Sequence, residues 1–134
     1  MAATAAPTAL IVDDERDLAW ALEQILCRNG WRVAVAHSGS AAIQYAVSSP
    51  VRIAFVDAKL PDMDGMVVGE RIGQLQPEAV IVLVSGYFYP EDREVQDALQ
   101  RRLFAHFISK PLDLAEILAL ARTCLPTQRS TIDS

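Results

Sequence analysis

Apolar runs of about four to six residues alternate along this chain with stretches whose hydrophobic positions recur every three or four residues, five times over. Short apolar runs bounded by turn residues predict buried strands, and the periodic stretches predict amphipathic helices. Their regular alternation predicts an α/β fold built on a parallel sheet. The first run, Ala9-Leu10-Ile11-Val12, leads into a helix with Leu18, Leu22, Ile25 and Asn29 on one face, stopped by Gly30. The second, Trp31 to Ala36, passes through the capping residue Ser38 into a helix carrying Ala42, Ile43, Ala46 and Val47, and Pro50 ends it.

The third run, Val51 to Val56, is apolar on both faces except for Arg52, as a strand covered on both sides must be. Asp57 closes it. A helix is predicted from about Gly65 to Leu75, with Met66, Val67, Glu70, Arg71 and Gln74 divided between inner and outer faces, before the turn at Pro77. The fourth run, Ala79 to Val84, stops at Ser85-Gly86. Pro90 suits the first turn of a fourth helix, with Glu91 and Asp92 at its positive end and Arg101-Arg102 near its negative end. His106 to Ser109 predicts a fifth strand. After Lys110-Pro111, the pattern Asp113-Leu-Ala-Glu116 has the form of a capping box opening a last helix through about Thr123. A single domain over residues 8–125 is expected, between a flexible N-terminal segment, 1–7, and a flexible C-terminal tail, 126–134.

Composition narrows the function classes. With 134 residues, 51% of them hydrophobic, the chain can bury one core and has little room for a second. A formal charge of −5 and scattered basic residues speak against direct nucleic-acid binding, which depends on clustered Lys and Arg. The sequence has no basic leader and no run of the ~18 apolar residues that a membrane span requires, so a cytoplasmic protein is expected. Cys27 and Cys124 stand far apart without a C-x-x-C or a neighbouring His, which predicts two isolated buried thiols.

The chemistry gathers at the ends of the strands. Runs one, three, four and five finish on Asp13-Asp14, Asp57, Ser85 and Lys110. A parallel sheet brings all strand C-termini to one edge, where a doubly wound sheet opens its binding crevice. Three carboxylates crowded there repel one another unless a divalent cation sits among them, and an oxygen-only ligand set favours Mg²⁺. A carboxylate beside Mg²⁺ is a nucleophile for phosphoryl transfer, while a Lys and a hydroxyl can neutralise and bond the incoming group. Asp57, on the central strand, is the expected acceptor. Each residue also has a plainer reading: a helix-start acid for Asp13 or Asp14, a turn carboxylate for Asp57, a strand terminator for Ser85, a loop charge for Lys110. The coincidence of four strand ends favours the site. Asp62 and Asp64 are expected as turn and helix-cap residues, and His37 and His106 are not expected as ligands.

The segments IVDDE (11–15), FVDAKLPDMDG (55–65), VSG (84–86) and ISKP (108–111) together make the chain similar to the receiver domain of two-component response regulators, over about residues 8–125. The resemblance implies a chemotaxis-regulator-like, doubly wound (βα)5 three-layer sandwich of the flavodoxin type, with strand order 2-1-3-4-5. It implies that Asp57 is the phosphoacceptor, Asp14 a direct Mg²⁺ ligand and Asp13 a ligand through water. The Lys59 carbonyl would complete the metal's protein ligands, and Mn²⁺ could substitute. Ser85 would be the switch hydroxyl and Lys110 the cation that pairs with the phosphoryl group. Phe107 would be either the switch aromatic or simply core. A cis peptide before Pro111 is implied as well.

On the same basis, the donor would be the phosphohistidine of a sensor kinase or a phosphotransfer protein. A downstream protein, or an output domain not present in this chain, would respond to a changed surface of the fourth helix, fifth strand and fifth helix. The same face would serve a homodimer. The protein would be a switch that catalyses only its own phosphorylation and dephosphorylation. Two other classes stay open: a receiver-like interaction module that is never phosphorylated, and a haloacid-dehalogenase-like phosphatase. The phosphatase would need a second Asp where this chain has Lys59. The long side chain of Lys59 is expected either in solvent or against the phosphoryl group or an acid. Tyr87 is expected either to screen the phosphoryl group from water or to pack its loop onto the fourth helix. The stretch RRLFAHF lacks the small Gly-Ala turn usual before the last strand.

Overall fold

Residues 7–124 are described by a computed structural model. Its elements run in the order β1 (Thr8–Val12), α1 (Arg16–Cys27), β2 (Arg32–Ala36), α2 (Gly39–Ser48), β3 (Ile53–Asp57), α3 (Gly65–Leu75), β4 (Val80–Ser85), α4 (Arg93–Gln100), β5 (His106–Ser109) and α5 (Leu114–Thr123). Apart from Pro7, the segments 1–7 and 126–134 lie outside the described residues.

The unpatterned apolar runs are the strands because both faces of the sheet are covered. β1 and β3 are buried at every residue. Alternate side chains enter two separate cores. Leu10, Val12, Ala54, Val56 and Leu83 pack with Ala42, Val68, Ile72 and Val95 on one side. Ala9, Ile11, Ile53, Phe55 and Val84 pack with Leu22, Leu26 and Ile117 on the other. Every strand pairing is parallel, and the sheet order is β2-β1-β3-β4-β5, as the resemblance implied. The C-terminal ends of β1, β3, β4 and β5 therefore share one edge.

The helices differ from expectation in their facing and in two termini. In α1 the buried residues are Ala19, Leu22 and Leu26. Leu18 and Ile25 only flank that stripe, and Asn29 lies beyond the helix end, its amide donating to the Ile25 carbonyl at 2.7 Å. Cys27, expected buried, is exposed because it follows Leu26 onto the outer flank; Cys124 is buried. In α2, Ala42 and Ala46 face the sheet while Val47 is 64% exposed. The inner face of α3 is Val68, Gly69 and Ile72, whereas Val67, Arg71 and Gln74 face outward. The fourth helix starts at Arg93, so Pro90 and Glu91 are outside it. Asp92 Oδ2 accepts from the Tyr89 N–H at 2.9 Å and closes a turn first. Asp113 does cap α5 through Ala115 N at 2.9 Å, but the Glu116 half of the expected capping box is not among the described contacts.

The unusual stretch after α4 has a local solution. Arg102 holds φ 61 in place of the glycine that commonly ends a helix. Leu103 N donates to Ala98 O and Arg102 N to Leu99 O, both at 3.0 Å, which is the Schellman pair of bonds. A Cβ in the left-handed region costs roughly 1 kcal/mol. Arg102→Gly is accordingly expected to stabilise the fold by up to about 1 kcal/mol in urea unfolding; a loss of stability would show that the arginine side chain contributes more than the backbone strain costs.

Candidate functional site

The polar residues at the common sheet edge are fixed by backbone bonds that continue the strands. Asp13 N donates to Ala36 O at 3.0 Å, Ala58 N to Val84 O at 2.8 Å, and Lys110 N to Ser85 O at 2.8 Å. These bonds bring together residues up to 97 positions apart in sequence, from Asp13 to Lys110, and the ion pairs confirm the meeting. Lys110 Nζ lies 3.2 Å from Asp57 Oδ2 and 3.5 Å from Asp13 Oδ2. One carboxylate oxygen from each of Asp13, Asp14 and Asp57 lies within 4.8 Å of the others. Asp13 and Asp57 are buried and Asp14 is exposed, so the cluster opens to solvent on the Asp14 side. The Lys110–Pro111 peptide is cis.

Burial pushes the Asp13 carboxyl above the usual aspartate range; the Glu15 N–H bond opposes this, and the charge of Asp57 adds to it. Burial by itself would lower the Lys110 ammonium, but the Glu15 hydrogen bond and the charges of Asp13 and Asp57 outweigh it, and the net shift is upward. The site thus carries an excess of negative charge around one cation. Three carboxylate oxygens gathered this closely, with no His or Cys among them, suit a hard divalent ion.

Ser85 is 1% exposed, and its Oγ accepts from Tyr87 N and Phe88 N, both at 2.8 Å. Both lone pairs are used, which leaves the hydroxyl proton free to be donated. Phe107 is half-buried against the core cluster that also receives Phe88. Lys59 N donates to Asp57 Oδ1 at 3.0 Å, holding the carboxylate in place. Lys59 is exposed, as one of its two expectations had it, and its Nζ sits 4.2 Å from the centre of the Tyr87 ring rather than against an acid. Tyr87 itself is 64% exposed and meets Phe88 edge-on at 5.3 Å. Phe88, rather than Tyr87 or the equally exposed Tyr89, packs this loop onto the core.

Sequence reasoning left one further acid, Glu15, unassigned here. Glu15 Oε1 is 2.8 Å from Lys110 Nζ, closer than Asp57. Its only signal was its place beside Asp13-Asp14. Asp62 does cap a helix, but α2 rather than its own: Oδ1 and Oδ2 accept from Gly39 N and Ser40 N at 2.8 and 2.9 Å. Those N–H groups hold its carboxyl below the usual range and tie the loop after β3 to α2. Asp64 caps α3 through Met66 N at 2.8 Å. His37 Nδ1 donates to the Asp13 carbonyl at 3.0 Å, away from the carboxylate oxygens, and His106 is exposed at the start of β5.

Residues 9–122 match the family model of the response regulator receiver domain. The response regulator ArlR of Staphylococcus epidermidis is 28% identical over 128 residues, covering 89% of this chain and 52% of that protein. The chain spans about half, or less, of the length of the curated relatives it matches. Among solved structures, the signal receiver domain of an HD domain-containing protein from Pseudomonas fluorescens superposes with a TM-score of 0.81 at 28% identity, covering 99% of this chain and 96% of that one. A response regulator protein from Burkholderia pseudomallei, with a phosphorylated aspartic acid, calcium ion and citrate, gives 0.76 at 25% identity, covering 95% of this chain and 71% of that one. With the strand order, the acid cluster and this match in agreement, the chain belongs to the response regulator receiver domains of two-component signalling.

Proposed function

We propose that this receiver is a phosphorylation-activated switch whose acceptor is Asp57. The observation that carries the reading is the ammonium of Lys110 set 3.2 Å from Asp57 within a group of carboxylates at one sheet edge. In the transfer, an Asp57 oxygen forms a bond to phosphorus as the bond from phosphorus to the donor breaks. The electron pair leaves on the imidazole nitrogen of a phosphohistidine, supplied by a sensor kinase or phosphotransfer protein. Asp14, Asp57 and the Lys59 carbonyl would hold Mg²⁺, or Mn²⁺ in its place, with Asp13 acting through water. When bound, the ion neutralises the acids and the incoming phosphoryl oxygens.

This chain's own residues then do three things. Lys110 pairs with a phosphoryl oxygen. Ser85 donates its hydroxyl proton to another, and turning toward it gives up the two bonds that hold Tyr87 N and Phe88 N. Release of that loop repacks Phe88 and Phe107, which share one core cluster, and so alters the surface of α4, β5 and α5. That surface is where a downstream protein, an output domain or a second copy of the chain would dock, in the cytoplasm. Lys59 and Tyr87, stacked on each other at the mouth of the site, would set how fast water reaches the acyl phosphate. The receiver domain would occupy 8–125, and turnover of an external substrate is not its purpose. The calcium-bound, phosphorylated relative from Burkholderia pseudomallei supports the metal and acceptor assignments.

Incubation with acetyl phosphate and Mg²⁺ is expected to add the mass of one phosphoryl group to the intact protein, located at Asp57 by peptide mapping, and chelation of the metal is expected to prevent it. No mass gain with metal present would leave only an inert interaction module, and an equal gain without metal would remove the ion from the proposal.

A further inference from the structure

Lys110 has three N–H donors and meets three carboxylates, and the shortest contact is not with Asp57. Nζ is 2.8 Å from Glu15 Oε1, 3.2 Å from Asp57 Oδ2 and 3.5 Å from Asp13 Oδ2. Glu15 stands at the N-cap position of α1 in extended conformation, where a side-chain oxygen ordinarily turns inward to bond the first N–H groups of the helix. Among the described residues it makes no such bond. Its carboxylate reaches instead to the end of β5, 95 residues along the chain. The side chain of Glu15 is 62% exposed and that of Lys110 19%, so the pair lies at the outer rim while Asp13 and Asp57 lie below it.

We propose that Glu15 is a positioning residue that restrains Lys110 at the rim of the acid cluster, so that a phosphoryl group on Asp57 must compete with Glu15 for the ammonium. The inference rests on the assignment of Asp57 as acceptor. An ion pair this exposed changes an equilibrium by only a small factor, because solvent screens it and two long side chains must be held. That size suits an adjustable restraint, since the phosphoryl oxygens, which carry more charge than one carboxylate, can displace it. Loss of the Glu15 charge also removes one repulsion from the approach of an anionic donor.

Glu15→Gln keeps the shape and removes the charge. It is expected to speed phosphorylation by acetyl phosphate roughly two- to fivefold and to tighten beryllofluoride binding by a similar factor at low ionic strength. Both gains should fade as salt shortens the screening length. In the metal-free protein, the Lys110 ammonium protons, followed by nuclear magnetic resonance, should exchange with water faster in the variant. Asp17→Asn removes another acid from the first turn of α1 and is expected to change none of these. Unchanged or slower phosphorylation in Glu15→Gln, or the same gain in Asp17→Asn, would overturn the inference and leave Asp57 as acceptor. If wild type gains no phosphoryl mass and binds no beryllofluoride, the acceptor assignment falls, and the inference with it.

Discussion

Asp57→Asn is expected to take up no phosphoryl group from acetyl phosphate while remaining folded, with an unfolding midpoint close to that of wild type. The amide is isosteric, and its carbonyl oxygen can still accept from Lys59 N, the bond that orients the side chain at 3.0 Å. The lost terms oppose each other. Lys110 gives up its 3.2 Å partner, yet it retains Glu15 and Asp13, and the repulsion between Asp57 and Asp13 disappears. An amide has no anionic oxygen to form a bond to phosphorus, so the chemistry stops even though the fold survives. Intact mass after incubation, with an unfolding curve on the same sample, separates the two effects. Equal phosphorylation of the variant would move the acceptor to another residue, and Asp13 or Asp14 would be the first to map.

The sheet was legible because a strand buried on both faces can only be written with apolar residues. β3 and β4 stand within one or two residues of their expected ends for that reason. The meeting of Asp13, Asp57 and Lys110 followed from the same logic, since parallel strands have one C-terminal edge. What sequence did not carry was side-chain direction. Glu15 lies beside two acids and could have capped its own helix; that it turns to Lys110 depends on the end of β5 being next to α1 in space. Lys59 is exposed, as one of its two expectations had it, but its contact with the Tyr87 ring was not legible, because it depends on the loop after β4 lying beside the loop after β3. Helix facing was off by one position in α1 because Leu18, Leu22 and Ile25 make as good a stripe on paper as Ala19, Leu22 and Leu26. Alanine carries too little apolar area to advertise which face it lies on.

Gly65→Ala is expected to destabilise the fold by about 3 kcal/mol and to impair phosphorylation together with it. Gly65 opens α3 immediately after the loop that follows Asp57, and its N–H donates to Ala58 O at 2.8 Å. A Cβ there would run into the Asp57 carbonyl oxygen and lie 2.6 Å from Ala58 Cα and 2.8 Å from the Asp57 carbonyl carbon. All of these are backbone atoms at the end of the central strand, so relief requires moving the strand end that carries Asp57. Gly73 in the same helix provides the opposite case, because a Cβ there meets nothing within 4 Å. Gly73→Ala should therefore gain only the helix preference of alanine over glycine, roughly 0.5–1 kcal/mol, and leave phosphorylation unchanged. The same chemical change in one helix thus has opposite predicted signs, decided by whether the backbone of Asp57 is in the way. Urea unfolding of the two variants beside wild type reads both signs at once. A Gly65→Ala protein as stable as wild type would mean that the turn after β3 yields freely, and that the position of Asp57 is not fixed by the start of α3.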